Sequence, residues 1–152
     1  PEYLKTPDGA RNLMDTGVQL GRRFRSLKLW MILRWFGAEG VRARLRFHIK
    51  LAQDLAGWVD ADPDFERLAP APFSVVCFRA KPGGREWTEP ELAALNERIM
   101  TRVNAGGEIF ISHTAVRGQF ALRVAIGNIQ TTERHVARAW ELIRQALASN
   151  LA

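Results

Sequence analysis

The sequence predicts an α+β fold, with a mostly antiparallel sheet of about four strands covered by helices. Two observations carry this reading. Apolar residues recur at three- and four-residue steps in segments 24–36, 41–59, 92–103 and 136–147, the spacing of amphipathic helices. Apolar runs at 65–68, 73–79, 108–114 and 119–127, separated by proline- and glycine-containing turns or by a helix, read as strands. Their order is helix, helix, strand, strand, helix, strand, strand, helix.

The first helix is expected over 24–36, because Phe24, Leu27, Trp30 and Met31 recur at helical spacing and Gly37 follows as a stop. Its run from Leu29 to Phe36 is apolar except at Arg34, as in a core helix. Arg22, Arg23 and Arg25 crowd its N-terminus, where unpaired backbone amides and the helix dipole favour an anion. The same arginines could equally be a solvated face, or pair with carboxylates elsewhere in a larger protein. Residues 1–20 show no sustained periodicity and carry turn signals at 7–9 and at Gly17, so a mobile loop is expected.

The second helix, 39–59, places Val41, Leu45, His48, Ala52, Leu55 and Val59 on one stripe, with His48 expected as a packed, hydrogen-bonded core histidine. Asp60, Asp62, Pro63 and Asp64 form a turn that the acids cap or solvate; it lacks the glycine and later glutamate of a calcium loop. In the strand at 73–79 both faces look largely covered, and Cys77 there reads as a buried, reduced thiol. Thr88 and Glu91 form a capping box, with Pro90 tolerated in the first turn, for a helix whose stripe is Leu92, Leu95, Ile99 and Val103. Gly106 and Gly107 end it. A hairpin at 116–118 joins the last two strands, the second with Phe120, Leu122, Val124 and Ile126 on one face and Ala121, Arg123 and Ala125 on the other. His113, near that hairpin, is either a structural hydrogen-bonding residue or a site residue. Thr131 or Thr132 caps a final helix with the stripe Val136, Trp140, Ile143 and Leu147.

A length of 152 residues fits one domain with a real core. No apolar run approaches the roughly 20 residues needed to span a bilayer, and no signal peptide opens the sequence, so no membrane partner and a reducing cytoplasm are expected. Residues 1–50 carry 11 Lys or Arg and 4 Asp or Glu, a balance of +7 against +6 for the whole chain. Such a basic half suggests an anionic ligand, nucleic acid, or an acidic surface that once packed against it. The aromatics among the arginines (Phe24, Trp30, Trp35, Phe47) fall at helical spacing, which places them in a core and argues against nucleic acid as the partner. No Ser-His-Asp pattern, Cys-His cluster or paired carboxylates offers an autonomous active site. Lys5, Lys28, Lys50 and Lys81 lie outside any cofactor-binding context.

Three stretches carry a resemblance: GRRFRSLKLWMILRWFG at 21–37, FSVVCFR at 73–79, and ISHTAVRGQFALRVAIGNIQTTERHVARAWELI at 111–143. In order and over nearly the whole chain, they resemble the C-terminal part of the pyridoxal-phosphate-dependent (group II) aromatic-L-amino-acid decarboxylase family. The resemblance implies the C-terminal small domain of a fold-type I enzyme, with segment 1–20 a mobile active-site-type loop, 21–60 two helices joining to a missing large domain, and 61–152 the small domain. It implies that the lysine holding pyridoxal phosphate lies in that missing N-terminal cofactor domain, so that the fragment alone is inactive. It further implies a homodimer acting on an aromatic amino acid to release an amine and carbon dioxide. By that resemblance Tyr3 is the catalytic proton donor, reaching across the dimer interface. Gly21 and its neighbour Arg22 line the other subunit's pocket, the absent side chain at Gly21 leaving room for an aromatic substrate. Arg23 and Arg25, with Arg22, are assigned to interface and structural pairing. The rival expectation is a small basic nucleic-acid-binding or protein-interaction module.

Overall fold

The structure is a computed structural model that describes residues 25–151, with the side chain of Arg25 excluded. Among these residues three helices and four strands follow the order α1 (Arg25–Ala61), β1 (Phe65–Arg67), β2 (Val75–Ala80), α2 (Glu89–Ala105), β3 (Ser112–Val116), β4 (Gln119–Ala125) and α3 (Glu133–Leu151). The strands form one antiparallel sheet in the order β1-β2-β4-β3.

The two expected helices are the two halves of α1, parted at Gly37, whose φ of 66° and ψ of 170° are not helical. That region of backbone space is open almost only to glycine. The kink separates two different environments. Beyond it His48, Leu51, Ala52, Leu55, Ala56 and Val59 are buried, five of them against the sheet and the other helices, while before it every residue from Ser26 to Phe36 is exposed. The expectation of a core helix at 29–36 is therefore not met within the described chain, where Trp35 is 83% exposed. The lower half of the second stripe is covered by the chain's own domain, but Leu45 stands 56% exposed.

The core lies on one face of the sheet. Val76 and Val124, and Phe78 and Leu122, are register partners in β2 and β4, and together with Ala80 they are buried under residues of all three helices, including Leu95, Ile99, Ile143 and Leu147. Burying one such side chain fully contributes about 1.5–3 kcal/mol. Trp140 of α3 packs against Phe65 and Phe78, with ring centroids 4.8 Å and 6.0 Å away.

Local signals explain the element ends. The Thr88 hydroxyl accepts from Glu91 N–H while the Glu91 carboxylate accepts from Thr88 N–H, the expected capping box. Thr132 caps α3: its carbonyl accepts from Val136 N–H, and its own N–H donates to His135 Nδ1. Arg117 and Gly118, at φ 52° and 80°, make a two-residue hairpin between β3 and β4.

The third strand starts later than expected, at Ser112 instead of Glu108. Asn104 accounts for this, since its side chain both accepts from Ile111 N–H and donates to Ile111 C=O, satisfying the backbone just before the ladder. Likewise β2 begins at Val75, and Phe73, expected in the strand, is 70% exposed. Of the three aspartates expected to cap or solvate the turn after α1, Asp62 caps it and the other two bind groups beyond it. Asp62 accepts from Asp64 N–H, Asp64 accepts from Gly83 N–H, and Asp60 takes a bidentate contact from Arg67.

Candidate functional site

The sheet face opposite the core carries Val75, Cys77 and Arg79 from β2 and Ala121, Arg123 and Ala125 from β4, as strict alternation requires. Arg123 is register partner to both Cys77 and Ser112, so a guanidinium, a thiol and a hydroxyl meet across three strands. Arg123 Nη1 donates to Ser112 Oγ at 3.2 Å. Both Arg123 and Ser112 are half-buried and line a cavity of about 470 Å³ with Asn104, Phe110, His113 and Ala125.

Cys77 is half-buried, not buried as expected, because it projects from the face opposite the core. That partial burial still pushes its thiol pKa up, with the Arg123 charge opposing, so the thiol form dominates at neutral pH. His113 stacks on Phe120, rings parallel within 3° and centroids 5.0 Å apart, a packing role. His48 is buried as expected, but its Nε2 has no hydrogen-bond partner among the described residues.

Arg79 is 3% exposed and donates to Glu66 and Glu89. Sequence reading passed over both Arg79 and Arg123, although a signal was present: each arginine sits inside an apolar strand run, where a lone charge needs a partner or a task.

Pyridoxal phosphate needs a lysine able to lose its proton and a carboxylate for the ring nitrogen. Among the described residues no lysine fits. Lys50 is bound to Asp54 and Glu133, whose hydrogen bonds push its pKa up, and Lys81 is paired with Glu66. Lys28 lies on the exposed first half of α1. No group of three or more His, Cys, Asp or Glu among the described residues could hold a metal ion. No helix among them is long and apolar enough to cross a membrane.

The sequence-expected site residues Tyr3, Gly21 and Arg22, with Arg23, lie outside the described residues. The structure therefore neither brings them together nor separates them.

Comparison with known proteins supplies what geometry alone does not. A family described as "Pyridoxal-dependent decarboxylase conserved domain" matches residues 1–81. Phenylacetaldehyde synthase of Arabidopsis thaliana is 44% identical over 149 residues, covering 95% of this chain and 30% of that protein. Tyrosine decarboxylase 2 of the same plant is 43% identical, covering 95% of this chain and 27% of its own length. The crystal structure of Oryza sativa TDC with PLP and tryptamine superposes with a TM-score of 0.79 at 36% identity, over 93% of this chain and 30% of that one. The chain thus spans less than a third of the length of these relatives.

Proposed function

Since the chain belongs to the pyridoxal-dependent decarboxylase family, we propose that it is the C-terminal part of an aromatic L-amino-acid decarboxylase, which releases carbon dioxide from the amino acid to leave an amine. The observation that carries this is the conjunction of 43% identity to a tyrosine and a tryptophan decarboxylase over nearly the whole chain with coverage of only 27–29% of those relatives. The described lysines do not fit pyridoxal phosphate, so the cofactor is assigned to the large N-terminal domain of the longer protein and this chain alone is inactive. The exposed run from Leu29 to Phe36 supports that division, because so nearly continuous an apolar stretch belongs inside a larger body. Segment 1–20 is assigned as the active-site loop, 21–60 as the helices joining the domains, and 61–152 as the small domain. The longer protein is assigned as a cytoplasmic homodimer.

Within this reading Tyr3 gives a proton to the substrate carbon that has lost carbon dioxide, and it does so in the other subunit. Gly21 and Arg22 line that subunit's pocket. A second reading has a specific observation behind it: one relative of 44% identity is a phenylacetaldehyde synthase, which supports aldehyde formation as the rival outcome. Tyr3 favours the amine, since a phenol carries the proton that amine formation requires.

The test is to express the longer protein that carries this chain, supply pyridoxal phosphate, aromatic amino acids and dioxygen as the two-electron oxidant that aldehyde formation requires, and quantify carbon dioxide, amine and aldehyde separately. Carbon dioxide with amine, shifting toward aldehyde in Tyr3→Phe, is the expected result. Aldehyde from the unaltered protein supports the second reading, and no carbon dioxide at all overturns both.

A further inference from the structure

The sheet ends in two edges of different kinds. β1 spans only Phe65–Arg67, and its charged residues Glu66 and Arg67 are engaged by Arg79 and Asp60. Short length and charge are the ordinary defences of an edge strand against pairing with another chain. β3, at the opposite edge, has neither: Ser112–Val116 reads SHTAV, without acid, lysine, arginine or proline, and its register with β4 runs unbroken.

The ladder decides which backbone groups of β3 face outward. Val116 and Gln119 close the two-residue hairpin as a hydrogen-bonded pair, so Val116, Thr114 and Ser112 turn their amides and carbonyls toward β4. Ile111, His113 and Ala115 turn theirs away. Asn104 shows this parity directly, because its side chain accepts from the Ile111 amide at 2.8 Å and donates to the Ile111 carbonyl at 2.9 Å, as a neighbouring strand would. The outward groups of His113 and Ala115 have no such partner among the described residues, and Ala115 is exposed.

Two outward residues with one between them form a self-complementary template. When a second β3 lies antiparallel with Thr114 opposite Thr114, His113 of each strand faces Ala115 of the other, and each such pair exchanges both of its N–H···O bonds. The side chains agree with this register. Ser112 meets Val116 and Thr114 meets Thr114 on the face opposite the core, and Phe110, 84% exposed, comes diagonal to the second copy's Val116. No charges are set against one another within the paired strands. We propose that β3 pairs antiparallel with β3 of a second copy of this chain, centred on Thr114, and so continues the sheet. The contact uses none of Tyr3, Gly21 and Arg22, and it does not depend on decarboxylation. So few hydrogen bonds gain little against the cost of joining two bodies, so the pair opens and closes in solution and is read by covalent capture, not by sedimentation.

The experiment places single cysteines in the full chain in a Cys77→Ala background and follows disulfide-linked dimer in a glutathione redox buffer. Across a non-hydrogen-bonded pair the Cα atoms stand about 4.5 Å apart, within disulfide reach, so Thr114→Cys should dimerise. Ser112→Cys or Val116→Cys alone would lie roughly 13 Å from its own counterpart and should be captured at least about tenfold more slowly, whereas a mixture of the two should link to each other. Ala115→Pro removes an outward donor without touching the β4 ladder, and it should abolish capture at Thr114→Cys while far-ultraviolet circular dichroism shows the fold kept. Trp35→Glu, on the separate apolar surface of α1, should leave capture unchanged. The longer protein that carries this chain, with Thr114→Cys, should be captured with the same dependence on Ala115→Pro. Equal capture at all three positions, no capture at Thr114→Cys, or capture that survives Ala115→Pro overturns the proposal. So does capture lost with Trp35→Glu, which would mean that the α1 surface brings the copies together, or absent from the longer protein, which would mean that another of its segments covers β3.

Discussion

Asn96 offers the sharpest test of how this domain is held together. It is fully buried on α2, between stripe residues Leu95 and Ile99. Its Oδ1 accepts from Ala80 N–H at 2.7 Å, and its Nδ2 donates to Ala80 C=O and to Leu92 C=O, both at 2.9 Å. Ala80 is the last residue of β2 and is itself fully buried, so no water reaches its peptide groups. Asn96→Ala strands one donor and one acceptor. Each buried unsatisfied group costs about 1–3 kcal/mol. The Leu92 carbonyl keeps its helical partner and adds little, while alanine's better helix propensity returns roughly half a kcal/mol. The net loss is about 2–5 kcal/mol, or a fall in melting temperature on the order of 10 °C for a domain of this size. Thermal and urea unfolding of the full chain measure it directly. Asn96→Asp separates the two groups, since it keeps the acceptor for Ala80 N–H but sets an oxygen against Ala80 C=O. It should be at least as damaging at neutral pH and partly relieved in acid, where a protonated carboxyl can donate. A loss below about 1 kcal/mol in Asn96→Ala would refute the claim that Asn96 carries the end of β2.

Three further outcomes are expected. Gly37→Ala meets no steric neighbour, so its cost of about 1–3 kcal/mol is purely that of a positive φ with an extended ψ; it should appear as straightening or fraying of 25–36 by hydrogen exchange, with the domain beyond unaffected. Trp35→Glu, at a residue 83% exposed, should leave the melting temperature of the chain unchanged but suppress self-association in sedimentation, because Leu29 to Phe36 form an uncovered apolar surface; a chain that is monomeric before the change defeats this reasoning. In acid, Glu89 should release stability late: the hydrogen bond from Arg79 holds its carboxyl below the usual carboxylate range, so its contribution is fully present above the unfolded value of about 4.3 and is lost only as pH falls through the lower folded value. Comparing acid unfolding of the wild type with Glu89→Gln checks this, and identical curves would remove Glu89 from the account.

Much of this domain was legible because its signals are local. The capping box at Thr88 and Glu91, the stripe from Leu92 to Val103 and the helix stop at Gly37 each depend on residues within a turn or two of one another. The alternation of Phe120, Leu122 and Val124 against Ala121, Arg123 and Ala125 follows from the two-residue period of a strand, and the sheet keeps it. The family too was written in long continuous stretches, which is why the resemblance at 21–37, 73–79 and 111–143 pointed to the right relatives.

What pairing alone decides was not legible. Arg79 meets Glu66 13 residues away, and Asn96 meets Ala80 16 residues away, so neither charge nor amide announces its partner in sequence. Cys77 reads as buried in a valine and phenylalanine run, yet strand register turns it to the face away from the core. Asp62, in the turn after α1, pairs with Arg144 of α3, 82 residues later, a meeting that only the folded chain makes. Sequence fixes conformation wherever the deciding forces are steric and short-range. Burial, charge pairing and cavities depend on which distant surfaces come together, and for Leu29 to Phe36 no such surface lies among the described residues.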